Sequence, residues 1–167
     1  MLYIFGGLPA TGKTMLSLRL AREVKAVHLR IDTIEQALCN SGSVLNGPEG
    51  YIIAYDIAAD NLRLGWSVVA DSVNPLHITR DAWREVADRC GVSFVEIEII
   101  CSDLAEHRHR VASRSTDVPG LELPTWEDVV NREYETWDRS HIVIDTAGQT
   151  IEESYAALRQ VLEQSRT

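Results

Sequence analysis

Gly7, Gly12, Lys13 and Thr14 complete the pattern G-x-x-x-x-G-K-[ST] in the stretch G-L-P-A-T-G-K-T. A strand precedes this stretch and a helix follows it, as a phosphate cradle requires. The loop Gly7, Leu8, Pro9, Ala10, Thr11 and Gly12 wraps the phosphates of a nucleoside triphosphate, and the helix N-terminus faces them. Lys13 is expected to reach the β- and γ-phosphates, and the Thr14 hydroxyl to ligate Mg²⁺. The bland alternative is a glycine-rich turn between a strand and a helix.

Two carboxylates and a set of arginines give the cradle candidate chemistry. Asp71 ends the apolar run V-V-A-D, where a rigid strand tip can present a metal-binding carboxylate; aspartates at such edges also cap helices. Asp32 ends R-I-D on the second strand, and in an open α/β sheet ligands bind outside the carboxyl ends of the strands. One carboxylate can hold Mg²⁺ while the other takes a proton from an attacking hydroxyl, although Asp32 also reads as a cap for a helix beginning at Thr33. Which of the two is the base stays open at this point.

Arg108, Arg110 and Arg114 crowd one short basic stretch. Arg110 and Arg114 stand i, i+4 and are expected to share a helix face, where guanidinium forks can meet the charge of a transferring phosphoryl group. A solvated helix face is the competing reading. His107 and His109, two apart on a helix, cannot jointly hold one metal and are read as surface residues. Trp66, Trp83, Trp126 and Trp137 are scattered at helical spacings that suggest packing.

These groups need a frame, and the sequence supplies one in alternating β and α segments. Strands are expected at Leu2 to Phe5, Ala26 to Ile31, Ser67 to Ala70, Val92 to Ile100 and His141 to Ile144. Helices are expected over Thr14 to Lys25, Thr33 to Asn40, Tyr51 to Leu64, with Gly65 as its stop, and Ile78 to Arg89. Capping boxes T-W-E-D at Thr125 and T-I-E-E at Thr150 open two more helices. The result is an α/β protein with helices on both faces of a parallel sheet.

The 167 residues fit a single domain, 1–167, able to bury its own core. A net charge of −9 disfavours nucleic acid as a partner. Cys39, Cys90 and Cys101 form no C-x-x-C pair, so reduced, buried thiols are expected rather than a disulfide framework or a zinc site. No apolar run approaches the ~20 residues of a membrane span, and a cytoplasmic protein is expected.

Taken together, the cradle, Asp32, the run V-V-A-D-S-V-N-P and the basic helix make the chain resemble the P-loop kinases. Within them it is similar to bacterial predicted small kinases, a group that includes chloramphenicol phosphotransferase, gluconate kinase, the zeta toxins and the phosphotransferase half of phage-type polynucleotide 5′-kinase. The resemblance implies a three-layer αβα P-loop kinase fold whose five-stranded parallel sheet is ordered 2-3-1-4-5. It implies Asp32 as general base, with Lys13, Arg110 and Arg114 as catalytic groups and Thr14 and Asp71 as metal ligands. Arg114 is the lid arginine on the transferring phosphate and Arg110 stands one turn before it. Asp145 to Gln149, including Asp145 and Gly148, takes the place of the adenine loop. Asp71, Asn74, Pro75, Arg80, Ala82 and Trp83 match the group's D-x-x-N-P turn and R-x-A-W stretch.

One departure narrows the acceptor. Polynucleotide kinases carry Asp-x-x-Arg at this position, and here Glu35 stands three residues after Asp32. A carboxylate there repels a phosphate and favours a hydroxyl-rich or amine-bearing acceptor. The expected activity is therefore transfer of the γ-phosphate of ATP, with Mg²⁺, to a hydroxyl of a small molecule. Segment 41–64 is expected to face the acceptor, with Tyr51, Tyr55 and Asp56 as candidates, and 103–124 to act as a lid. A polynucleotide or nucleotide kinase is one alternative and a nucleotide-binding ATPase switch another, although no N-K-x-D or L-S-G-G-Q signature occurs.

Overall fold

A computed structural model describes residues 1–164 of the chain. Its five strands are β1 (Leu2–Gly6), β2 (Val27–Arg30), β3 (Val68–Asp71), β4 (Phe94–Ile100) and β5 (Ile142–Asp145). All pairings are parallel and the order is β2-β3-β1-β4-β5, as anticipated from the resemblance. Seven helices cover the sheet: α1 (Lys13–Val24), α2 (Ile31–Asn40), α3 (Glu49–Arg63), α4 (His77–Cys90), α5 (Leu104–Ser113), α6 (Trp126–Val130) and α7 (Ile151–Gln164).

The alternation of side chains along β1 builds two cores. Leu2 and Ile4, with Val68 and Ala70, pack under Ala54, Ala58 and Leu62 of α3 and Trp83 and Val86 of α4. Tyr3 and Phe5, with Val69, Ile97 and Ile99, pack under Leu16 and Leu20 of α1 and Tyr155, Leu158 and Leu162 of α7. A strand buried on both faces reads as a continuous apolar run, which is why L-Y-I-F was legible. The chain builds one side of the sheet through β2 and β3, then crosses β1 to lay down β4 and β5. That switch opens a crevice at the carboxyl end of β1, where the glycine loop begins.

Two local expectations need correction. Asp32 does not end β2: the strand stops at Arg30, the extended N-cap of α2, and Asp32 falls in the helix's first turn. Ile31 is drawn into the α3 side of the core, which turns the chain one step early, and an acid in a first helical turn complements the helix dipole. The second concerns the thiols. All three cysteines are free, but only Cys101 is buried, Cys90 is half-buried and Cys39 is exposed near the end of α2. Both capping boxes form as read, at Thr125 with Asp128 and at Thr150 with Glu153. No described helix is long and apolar enough to cross a membrane.

Candidate active site

The glycine loop leaves β1 with Gly7 at φ 135°, and its N–H donates to the Val73 carbonyl at 3.0 Å. A Cβ at Gly7 would stand 2.2 Å from the Ile99 carbonyl oxygen, so no other residue fits that turn. Gly12, at φ 94°, is the N-cap of α1 and offers no side-chain cap. The first N–H groups of α1 are thus left without a side-chain acceptor at Gly12, which is what an anion-binding helix terminus requires. Thr11 Oγ1 ties the loop internally by donating to the Leu8 carbonyl at 3.0 Å.

Lys13 and Asp71 meet beneath this loop, with Nζ 3.0 Å from Oδ1 and Asp71 1% exposed. Burial pushes the Asp71 carboxyl up, and the Lys13 ammonium with His28 more than offsets that, holding it below the usual carboxylate range. Asp71 Oδ2 is buried without a hydrogen-bond partner among the described residues, with His28 Nε2 3.6 Å away, and Thr14 helps to hold the same carboxylate in its charged form. One hydroxyl and one carboxylate with a spare oxygen form the hard donor set that Mg²⁺ accepts when phosphate oxygens complete it. Thr14 and Asp71 therefore fit the ion. No cluster of three or more His, Cys, Asp or Glu side chains that could hold a metal by itself occurs among the described residues.

Asp32 lies beside Arg30 and within the field of Arg114. Arg30 Nε is 3.9 Å from Asp32 Oδ2, while Arg30 Nη1 donates to Asp117 Oδ1 at 2.7 Å and so draws the segment after α5 towards the end of β2. Gly120 in that segment packs against Gln36 of α2. Arg114 feels the charges of both Asp32 and Arg30, and burial lowers its guanidinium below the ordinary value. Its Nε and Nη2 are buried and unpartnered among the described residues. Glu35 also feels Asp32: burial first, then the Asp32 charge, pushes its carboxyl up against the opposing pull of Arg132.

The two arginines expected to share a helix face part company. Arg110 sits in the last turn of α5 and donates through Nη1 to Thr146 Oγ1 and through Nη2 to the Thr146 carbonyl, both at 2.8 Å, while pairing with Glu106. Arg114 has already left the helix, with extended backbone at its C-cap, so the expected shared face does not exist. Arg110 belongs to the loop after β5, whereas Arg114 feels the charge of Asp32 without pairing with it. In that loop Asp145 Oδ1 accepts from Ser102 N and Ala147 N, each at 3.0 Å, and the Gly148 N–H donates to Glu106 Oε2 at 2.8 Å. Asp145 and Gly148 thus spend these groups on shaping the loop.

His107, expected on the surface, is 4% exposed. Its Nε2 donates to the Pro9 carbonyl at 2.8 Å, and its ring meets Trp126 edge-on. The signal was its i, i+4 spacing to the buried Val111. Of the acceptor-side candidates only Tyr51 reaches the site: its hydroxyl accepts from Asn74 N at 3.1 Å and lies within the field of Glu35 and Asp32. Tyr55 packs edge-on to Trp83 in the core, and Asp56 pairs with Arg89 on the outer surface. Trp83 is fully buried, Trp126 and Trp137 are half-buried, and Trp66 is 55% exposed. Arg30 was missed by the sequence reading, although R-I-D places it two residues from Asp32.

Comparison with known proteins adds a family and a fold. A family described as AAA domain matches residues 2–132. No curated protein sequence matches the chain. Among solved structures the chain is similar to an unliganded sugar kinase from Janibacter sp. HTCC2649, at TM-score 0.70 and 17% identity over 97% of this chain and 94% of that one. It is similar to Chaetomium thermophilum Kti12 in complex with ADP-AlF3, at TM-score 0.69 and 16% identity over 98% of each chain. The Mycobacterium tuberculosis APS kinase CysC in complex with AMPPNP and APS superposes at TM-score 0.64 and 18% identity, over 97% of this chain and 96% of that one. At these identities the likeness is one of fold, and the fold is that of the P-loop kinases.

Proposed function

The chain belongs to the AAA domain family, and on that premise we propose that it is an ATP-dependent phosphotransferase moving the γ-phosphate of ATP to a hydroxyl of a small molecule. One observation carries the reading: Asp32, 3.9 Å from Arg30, lies within the field of Arg114, whose Nε and Nη2 are buried and unpartnered among the described residues. A site that only bound or hydrolysed nucleotide would not need a carboxylate held there for a second substrate. Both sides of a phosphoryl transfer are represented, a proton acceptor and free donors for the equatorial oxygens.

In the proposed reaction the acceptor oxygen forms a bond to the γ-phosphorus, and the bond from that phosphorus to the bridging oxygen breaks. ADP leaves with the electron pair, and the hydroxyl proton passes to Asp32. Lys13 exchanges its Asp71 partner for phosphate oxygens, and Arg114 donates to the group in transit. Thr14 and Asp71 would hold Mg²⁺, which would supply charge neutralisation at the phosphates when bound. Arg110 acts at one remove, fixing the Thr146 to Gly148 loop as one wall of the nucleotide site.

The acceptor end is carboxylate-rich. Glu35, Asp32 and the Tyr51 hydroxyl lie within one another's field, which favours neutral or cationic acceptors bearing hydroxyls and disfavours phosphorylated ones. A polyol acceptor is consistent with the sugar kinase among the proteins that share this fold. ATP consumption across a library of polyols, amino alcohols and nucleosides tests the assignment. Turnover should rise sharply with one class of small hydroxyl compound; turnover indifferent to every acceptor would favour a nucleotide switch.

A further inference from the structure

We propose that His107 is a positioning residue for the phosphate cradle, holding the Pro9 carbonyl against α5 so that the Ala10 N–H is turned to the phosphates. The inference rests on the nucleotide-binding reading of the loop and adds a residue to it. Pro9 brings no N–H of its own, and Ala10 sits at φ 66°, a left-handed conformation that costs an alanine on the order of 1 kcal/mol. The Thr11 hydroxyl bond to the Leu8 carbonyl spans Ala10 from within the loop, and contacts from outside the loop add to it.

The geometry names the holder. A trans peptide is planar, and its carbonyl and N–H point in opposite directions. With the Pro9 oxygen bound to His107 Nε2 at 2.8 Å, the Ala10 N–H of the same peptide must point away from α5, and it has no acceptor among the described residues. The carbonyl of the residue after Ala10 is held as well. Thr11 O accepts from the Thr146 hydroxyl at 2.8 Å, and Arg110 of α5 holds that hydroxyl. Both ends of the Ala10 turn are thus tied to one helix, directly through His107 and indirectly through Arg110. His107 is itself fixed by burial and by Trp126, whose ring centroid lies 5.3 Å away at an interplanar angle of 87°.

Calorimetric titration of the full chain in Mg²⁺ with ATP, and separately with inorganic tripolyphosphate, tests the role. His107→Phe keeps the ring against Trp126 and removes the donor; His107→Gln restores an N–H at the Nε2 position, and His107→Asn leaves it short of the carbonyl. The expected result is a loss of about fivefold to tenfold for Phe and Asn, equal for ATP and tripolyphosphate, with Gln within about twofold of the parent. The Gln and Asn contrast reads the same if the Phe variant does not fold. If the parent binds ATP and all variants bind both ligands equally well, the inference is wrong; loss for ATP alone would also overturn it, by placing His107 on the base side. Failure of the parent to bind either ligand would overturn the nucleotide reading itself.

Discussion

Lys13 Nζ and Asp71 Oδ1 are 3.0 Å apart in the floor of the site, the ammonium 9% and the carboxylate 1% exposed. Fifty-eight residues of chain separate the two, so the contact joins the glycine loop to the β3 tip across the centre of the sheet. Removing one member leaves the other charge buried without a counter-ion, and that costs about 3 kcal/mol or more. Asp71→Asn should therefore lower stability in urea denaturation by about that amount. Lys13→Met in the same chain should recover part of the loss, since both charges are then absent. Equal stability of parent and Asp71→Asn would show that the pair is not buried as described.

Arg110 and Arg114 should separate kinetically. Arg110 spends its donors on Thr146 and Glu106, so Arg110→Ala should raise the KM for ATP, roughly tenfold, through a loosened loop. Arg114 keeps two buried donors unpaired among the described residues within the field of Asp32, so Arg114→Ala should lower kcat by at least about 10²-fold with little change in ATP KM. Steady-state kinetics on the two variants distinguishes them.

Glu35 sets a pH dependence of stability. Its folded-state pKa is raised above the ordinary 4.5 by burial and by Asp32, so the folded chain binds the proton more tightly than the unfolded chain. Stability from this group is present below the ordinary value and is lost as pH rises through the raised one. Glu35→Gln should therefore melt higher than the parent at pH 7, with the gap closing below about pH 4. Melting curves at the two pH values check it, and a gap that widens on acidification would contradict the assignment.

Much of this architecture was legible because it rests on local rules. A strand running into G-x-x-x-x-G-K-[ST], alternating apolar runs and two capping boxes state their own geometry. The sheet order came from resemblance, since no local pattern says that β3 must slip between β2 and β1. What stayed hidden depends on contacts distant in sequence. His107 is buried because Pro9 and Trp126 close around it, and Arg110 leaves Arg114 because Thr146 draws it to the loop after β5. Asp32 moved from strand to helix by a single early turn at Ile31. Tyr55 stands one turn from Tyr51 on the same face of α3, ring centroids 6.1 Å apart, but its hydroxyl donates to the Thr79 carbonyl and only Tyr51 meets Asn74, while Asp56 turns outward to Arg89.

The charge of the chain makes a separate forecast. At a net −9, with Glu35 in place of an acceptor-side arginine, oligonucleotide binding should be weak and should change little between 50 and 200 mM salt, about the range over which phosphate contacts are lost. Tight binding that collapses across that range would return a nucleic acid to the acceptor site.

Whether Asp32 serves a small-molecule hydroxyl is read out by offering γ-³²P-labelled ATP to the parent and to Asp32→Asn. A small-molecule hydroxyl library competes in the same reaction with an oligonucleotide 5′-hydroxyl. Label should appear in a small molecule with the parent and in nothing with Asp32→Asn, while ATP binding stays nearly unchanged in both. Label on the oligonucleotide, or transfer by Asp32→Asn at the parent's rate, would contradict the role of Asp32.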